Sequence, residues 1–389
     1  MNILILSPFL PWPISQGGKI RAFNIIKYLS VNHKITLACL SEERISDYGP
    51  LADFCEEVIC IERRRNIFRD LPPFLFGSKP FNFVRFSSVV FSNALKELLK
   101  RKSFDLIQIE FSMMWQYADI FKGVPAVLDA HNIESEIVKQ IGNTQKNPVM
   151  KLLYVLEKRK LIRGEAAAWR GCDICFAVSE SERTVIVSHA DPGKVYTAPN
   201  GVDCTRFEYA PKSRAGKQLL FIGGMDYLPN ADSALYLIEQ IWPLVRAGQP
   251  DARLEIVGRN ISKLRMSHAT ENIGFHENVP DILPYFRDAD LLLVPLRSGA
   301  GTRIKILEAM AAGLPVVTTS KGCEGIEARD REHLMVADTP ADFAGAIRKI
   351  LGDPGLRSSI IQNARRLVET KYSWEKIVTD MEKLAKSKS

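Results

Sequence analysis

Residues 289–326 read ADLLLVPLRSGAGTRIKILEAMAAGLPVVTTSKGCEGI. The order is strand, loop, helix, turn, strand. Residues 291–295 form a short apolar run, as a strand buried on both faces requires. Ser298-Gly299-Ala300-Gly301-Thr302 is a loop of small residues. Thr302 can cap the helix that follows, and residues 308–312 are strong helix formers. Gly313 ends that helix, Leu314-Pro315 turns the chain, and residues 316–319 make the next strand.

The chemistry follows from this order. A glycine-rich loop opening a helix offers backbone N–H groups and the positive dipole end, which suits phosphate. Arg303 and Lys305 fall in the first turn, where a cation opposes the dipole. That placement makes sense if an anion lies between them and the helix end. Gly299, Gly301, Thr302, Arg303 and Lys305 are therefore read as a phosphate cradle. Glu308 follows about 8–9 Å along the axis, at ~1.5 Å per residue, where a carboxylate can accept hydrogen bonds from a ribose. The competing reading is a surface helix with ordinary charges.

A chain of 389 residues is expected to form two domains. No apolar run approaches the roughly 18 residues of a membrane helix. The opening MNILILSPFLPW lacks a basic head and a small-residue cleavage site, and reads as a first strand. The seven cysteines are odd in number and scattered, which suggests reduced thiols in the cytoplasm. Cys172 and Cys175 form one CxxC without the second pair that a zinc site needs. The net charge of +7 is modest for this length. It fits anionic small ligands or an anionic membrane surface, and no nucleic-acid partner is expected.

Outward from the opening stretch, strands alternate with helices along the whole chain. The first half has strands near 2–7, 34–40, 58–62, 106–110, 126–130, 173–178 and 195–198. The second has them near 218–222, 253–257, 273–275, 291–295 and 316–319. Such alternation means α/β domains with doubly wound parallel sheets and crossover helices. The polar connection 207–216 marks a boundary. The domains are placed at 1–206 and 207–370, with a closing helical segment at 371–389.

Two loops of the first half carry candidate chemistry. Residues 8–18 follow the first strand, where doubly wound sheets bind ligands, and Gly17-Gly18 would let backbone approach one closely. Asp129-Ala130-His131-Asn132 ends another strand; its histidine is read either as a functional group or as a cap. Residues 63–86 interleave arginine with phenylalanine and proline. They are read as a solvated loop or as a surface meeting an anionic bilayer interface.

Taken together, these features resemble the GT-B glycosyltransferases of the large retaining family four, over nearly the whole chain. The matching residues are Ser7-Pro8 with Gly17-Gly18, Asp129-Ala130-His131-Asn132, Ala177-Val178-Ser179, Pro199-Asn200-Gly201-Val202-Asp203, Phe221-Ile222-Gly223-Gly224, Gly274-Phe275, Ala289-Asp290 and the run 307–317, LEAMAAGLPVV. The resemblance implies two Rossmann-like domains facing each other across a cleft. It implies a nucleotide-diphosphate sugar as co-substrate, no other cofactor, and a glycan or lipid-linked acceptor held by the first domain. Glu308 matches the glutamate on the ribose hydroxyls. Gly17-Gly18 match the loop near the diphosphate, and His131 a histidine near the transferred sugar. The turn ending near Val279 matches the segment facing the base. The final helix is expected to cross back onto the first domain.

Two departures stand out. A second glutamate, usual eight residues before Glu308, is replaced by Ala300. An arginine and a lysine usual after the strand ending at Gly223 are also missing, with Gly224 in the arginine position. Arg303 and Lys305 are expected to supply that charge, with Arg259 a third candidate. Asp288-Ala-Asp290 spells a DxD, but at a helix-to-strand junction, so a metal-independent hexosyltransferase is expected. The assigned catalytic residues are His131, Arg303 and Lys305. The rivals are a nucleotide-sugar epimerase of the same architecture and a non-catalytic nucleotide-sugar-binding protein. A cytoplasmic enzyme, peripheral at the inner face of the membrane, making envelope or exopolysaccharide glycans, is the expected setting.

Overall fold

The computed structural model describes residues 1–14, 17–64, 66–212, 216–299 and 301–387. They form two compact units, Met1–Pro199 joined by the stretch from Ile377, and Asn200–Lys376. The first unit holds β1 (Asn2–Ser7), β2 (Lys34–Ser41), β3 (Glu57–Glu62), β4 (Leu106–Glu110), β5 (Ala126–Asp129), β6 (Ile174–Ala177) and β7 (Val195–Thr197). Their order in the sheet is β3-β2-β1-β4-β5-β6-β7, and all neighbours run parallel. The second unit holds β8 (Gln218–Ile222), β9 (Arg253–Gly258), β10 (Ile273–Glu277), β11 (Leu291–Val294), β12 (Val316–Thr318) and β13 (Met335–Val336), ordered β10-β9-β8-β11-β12-β13.

Helices cover both faces of each sheet, which is why the central strands are continuous apolar runs. All of β4 and β11 is buried. Each sheet reverses its strand order once, at β1/β4 and at β8/β11. At such switch points the crossover loops part and leave a crevice at the carboxyl ends of the strands.

Three expectations change. The boundary falls at 199/200, because Val202 bridges Ser373, its N–H donates to Tyr372 O at 2.8 Å and its carbonyl accepts from Trp374 N. Residues 200–206 and 371–376 therefore pack with the second unit. Residues 63–86, read as loop, hold the helices Ile67–Phe76 and Phe81–Arg85. Asn66 caps the first, accepting from Arg69 N at 3.2 Å, so the helix forms despite Pro72 and Pro73. The two-residue strand β13 is too short to leave a pattern in sequence.

The long helix Pro148–Gly171 fastens this region. Its buried Glu157 accepts from Phe81 N and Asn82 N at 2.7 and 3.2 Å, and its buried Glu165 from Glu134 N and Ser135 N at 2.7 and 3.2 Å. Each carboxylate thus satisfies the open N–H groups of another helix. Lys160 of the same helix donates to Phe74 O and Gly77 O. At the other side of the first unit, Val378, Met381 and Ala385 of the helix Trp374–Lys386 close over Ile3, Ile25 and Leu29. Glu382 there pairs with His33 at 3.0 Å.

In the second unit Gly258, which ends β9, touches Gly223, the residue after β8. A Cβ at Gly258 would lie 1.9 Å from Gly223 O. Backbone cannot retreat as a side chain can. Gly258→Ala is expected to destabilise the second unit by about 1–3 kcal/mol, read as a lower urea midpoint, and an unchanged midpoint would refute the constraint.

Candidate active site

The residues singled out in the second half gather at the carboxyl ends of β8, β9 and β11. The Lys305 ammonium donates to Ile222 O, the last residue of β8, and to Asn230 Oδ1 at 3.1 Å. Asn230 in turn donates to Gly224 O at 3.1 Å. A Cβ at Gly224 would meet Asp226 Oδ1 at 2.4 Å and Arg259 Nη2 at 3.5 Å. Arg259 pairs with Asp226 at 3.1 Å. Gly299 and Gly301 adopt φ of +106° and +82°, open to glycine with little strain. A Cβ at Gly299 would crowd Tyr227 Oη at 2.9 Å and Arg303 Nη2 at 3.3 Å.

The helix after this loop differs at its start from the sequence reading. It spans Ile304–Ala312, with Arg303 in the N-cap position and no side-chain cap. Thr302 does not cap it. Its carbonyl accepts from Ile304 N, and its hydroxyl has no partner among the described residues. The helix begins one residue later than a Thr302 cap requires, so Thr302 precedes the cap position, and the Arg303 guanidinium folds back onto Gly301 O. Ala300 lies outside the described residues. Val279 sits in the loop after β10, against the core that also contacts Ile222. Asn278, at φ +54°, ties that loop to β9 through Gly258 O at 3.0 Å. Asp290 of the DxD is buried at the opposite, amino end of β11 and accepts from Gln218 N at 2.9 Å and Lys212 Nζ at 3.1 Å.

Burial sets the electrostatics. It lowers the Arg303 pKa, which nearby Tyr227 and Glu324 partly restore. Burial brings Lys305 down to about 8, helped by Arg303 and opposed by Glu308. Burial pushes Glu308 up to about 7, opposed by Arg206 and Lys305. Two cations, Arg303 and Lys305, and the acid Glu308 thus stand together, partly withdrawn from water, in the crevice where an anion would be held.

The first unit has a separate constellation at its own switch point. Gly17 and Gly18 open the helix Gly17–Leu29. A Cβ at Gly18 would lie 2.8 Å from the Phe111 ring and 3.3 Å from that of Phe9. Here glycine admits two aromatic rings. Phe111 stacks on His131, centroids 3.8 Å apart and 12° from parallel, and both residues have positive φ, 67° and 58°. His131 Nε2 lies 2.5 Å from Glu110 Oε2 and 3.6 Å from Asp129 Oδ2. Arg21 grips both oxygens of Asp129, at 2.6 and 2.9 Å, and donates to Pro199 O at 2.9 Å. All four of these residues are buried.

Glu110, Asp129 and His131 offer donor atoms within 4.8 Å of one another, the spacing of a metal site. Arg21 takes both oxygens of Asp129, however, and His131 already faces Glu110, so these groups satisfy each other. The sequence reading chose His131 and passed over Arg21, Glu110 and Asp129. Two clues were available. Glu110 and Asp129 are register partners, each an acid closing an apolar strand, and Arg21 is a lone cation within the apolar stretch IRAFNII.

A model of the Glycosyltransferase Family 4 matches residues 16–206, and one of the Glycosyl transferases group 1 matches residues 216–353. The chain belongs to glycosyltransferase family four, with the GT-B architecture. This glycosyltransferase is 22% identical to a 44.6 kDa protein in the cps region of Klebsiella pneumoniae, over 98% of both chains. It is 31% identical to the phosphatidyl-myo-inositol mannosyltransferase of Mycobacterium leprae, over 47% of this chain and 51% of that one. The fold of HepE from Anabaena, solved in complex with UDP-glucose, matches with a TM-score of 0.70 over all of both chains at 13% identity.

The buried pair in the first unit gives this transferase a measurable dependence. Asp129→Ala leaves the Arg21 charge without its carboxylate, an uncompensated burial worth about 3–5 kcal/mol. Chemical unfolding of the variant is expected to show a loss of that order. A loss under 1 kcal/mol would mean that Arg21 finds water instead.

Proposed function

We propose that this enzyme moves a hexose from a nucleoside-diphosphate sugar to a lipid-linked or polysaccharide acceptor, with retention at the anomeric carbon and without a metal. The observation that carries the reading is the Lys305 ammonium fixed at the end of β8, with Glu308 one helical turn further on. That spacing suits a diphosphate beside the cation and a ribose beside the carboxylate. In the reaction the bond from the anomeric carbon to the diphosphate oxygen breaks, the acceptor hydroxyl oxygen bonds to that carbon, and the hydroxyl proton passes to the departing phosphate. Negative charge builds on the departing phosphate. We assign Lys305, Arg303 and Arg259 to stabilise it, which is the work a metal does in other transferases. The solved relative with UDP-glucose supports the donor class, and the mannosyltransferase relative supports a lipid acceptor.

For the first unit the reading assigns the acceptor. A cavity of about 390 Å³ lies at the ends of β1 and β2, walled by Phe9, Trp12, Lys19, Arg63, Arg85 and Phe86. Lys19 has its pKa lowered by burial. His131 is assigned to the transferred sugar, its ring held by Glu110 and by the Phe111 stack.

A thermal-shift screen with UDP-, GDP- and ADP-sugars tests the donor class, since a ligand of the native state raises the melting point. No shift with any of them would end the reading. Lys305→Ala is expected to lower turnover by about 10²–10³, with the fold retained by circular dichroism. Near wild-type transfer would remove Lys305 from the chemistry.

The free-enzyme pKa values also set a pH profile. Below about 7, Glu308 takes up a proton and loses acceptor strength for the ribose; above about 8, Lys305 loses its charge. The kcat/KM for the donor should therefore rise to a maximum between these values and fall on both sides. Glu308→Gln should flatten the acid limb and move the alkaline one to lower pH, because the Glu308 charge no longer holds the Lys305 pKa up. An acid limb that persists in that variant would assign it to another group.

A further inference from the structure

The segment 63–86 and the start of the helix Pro148–Gly171 present an apolar surface that the transfer reaction does not use. On the helix Ile67–Phe76 only Asp70 and Phe74 are buried. Phe68 is 88% exposed and Phe76 90%. The Pro148–Gly171 helix adds exposed Val149 and Leu152. Lys160 clamps Phe74 O and Gly77 O, so the exposed end of the shorter helix is held on the longer one. Large aromatics left this open mark a surface with a partner.

The charge around them identifies the partner. Residues 63–96 and 145–164 contain thirteen arginines and lysines and two acids, Asp70 and Glu157. Both acids are buried inside the unit, Asp70 against Arg63 and Arg69, Glu157 against backbone amides. The exposed ionic groups within these two stretches, among them Arg69 and Lys151, are therefore cationic, while Arg64 is paired at 2.6 Å with Glu62 just outside them. An apolar face bordered by this excess of cations matches an anionic lipid interface, where rings enter the acyl boundary and cations meet phosphates. No helix among the described residues is long and apolar enough to cross a membrane.

We infer that this face docks the first unit onto an anionic phospholipid bilayer, with the Phe68 and Phe76 rings as the inserted groups. The exposed helix lies in the chain between Arg63 and Arg85, both of which line the 390 Å³ cavity assigned to the acceptor. Docking would thus hold that cavity beside the lipid surface. The docking itself does not rest on the transferase reading.

Flotation of the full chain with vesicles tests it. One set is neutral phosphatidylcholine; the other contains phosphatidylglycerol at three parts in ten, as a chosen composition of about 30%. The expected result is capture by the anionic set, at least tenfold weaker for the neutral set, and weakened by high salt. The double variant Phe68→Ser, Phe76→Ser should lose at least tenfold of this binding while its melting point and its nucleotide-sugar thermal shift stay unchanged. Absence of binding to anionic vesicles overturns the inference. So does equal binding by the folded double variant, or a wild-type dimer in solution that the double variant abolishes without any vesicle capture. The last outcome would assign the face to a second copy of the chain. A failed sugar-nucleotide shift with intact vesicle capture would instead count against the donor reading alone.

Discussion

The bond from the Lys305 ammonium to the Ile222 carbonyl fixes where positive charge stands in the second unit. A lysine on a mobile stem would search a wide volume; this one is anchored at the carboxyl end of β8, with Asn230 as a second acceptor. The anchor exists because β8 and β11 are neighbours at the strand reversal, which brings the helix after β11 over the end of β8. Sheet topology, the positive-φ glycines Gly299 and Gly301 and the lysine thus form one construction. The lowered pKa of Lys305 and raised pKa of Glu308 record its cost, because both charges are partly removed from water. Charge already desolvated and fixed needs little rearrangement when a leaving group becomes anionic.

The first unit solves a related problem with opposite means. Its acids Asp129 and Glu110 are fully buried and paired, Asp129 with Arg21 and Glu110 with His131. The histidine is oriented from its edge by the carboxylate and from its face by Phe111. The two left-handed residues, Phe111 and His131, end adjacent strands side by side, and the missing Cβ of Gly18 leaves room for the ring of the first. A ring held at edge and face keeps one position without help from a ligand.

Much of this was legible in the sequence, and the limits are instructive. The apolar strands appear near their places because burial on both faces writes a continuous hydrophobic run. Gly299 and Gly301 were readable as loop residues because positive φ favours glycine. Thr302 misled, since a threonine before a helix suggests a cap, and the helix begins one residue later than that cap requires. Arg21 and Glu110 stayed hidden because their partners lie 108 and 21 residues away, a distance no local pattern spans. The helix Ile67–Phe76 was obscured by its prolines, which local rules count against it while Asn66 and Lys160 hold its ends.

The order of the chain adds a consequence for biosynthesis. The helix Trp374–Lys386 seals the surface formed by Ile3, Ile25 and Leu29, yet it is translated only after every residue of the second unit. During synthesis the second unit can complete its core first, while the first unit waits with apolar surface bare. Nascent chains of this protein therefore carry an open hydrophobic face until the segment from Ile377 has been made, and that interval is when a chaperone has something to hold.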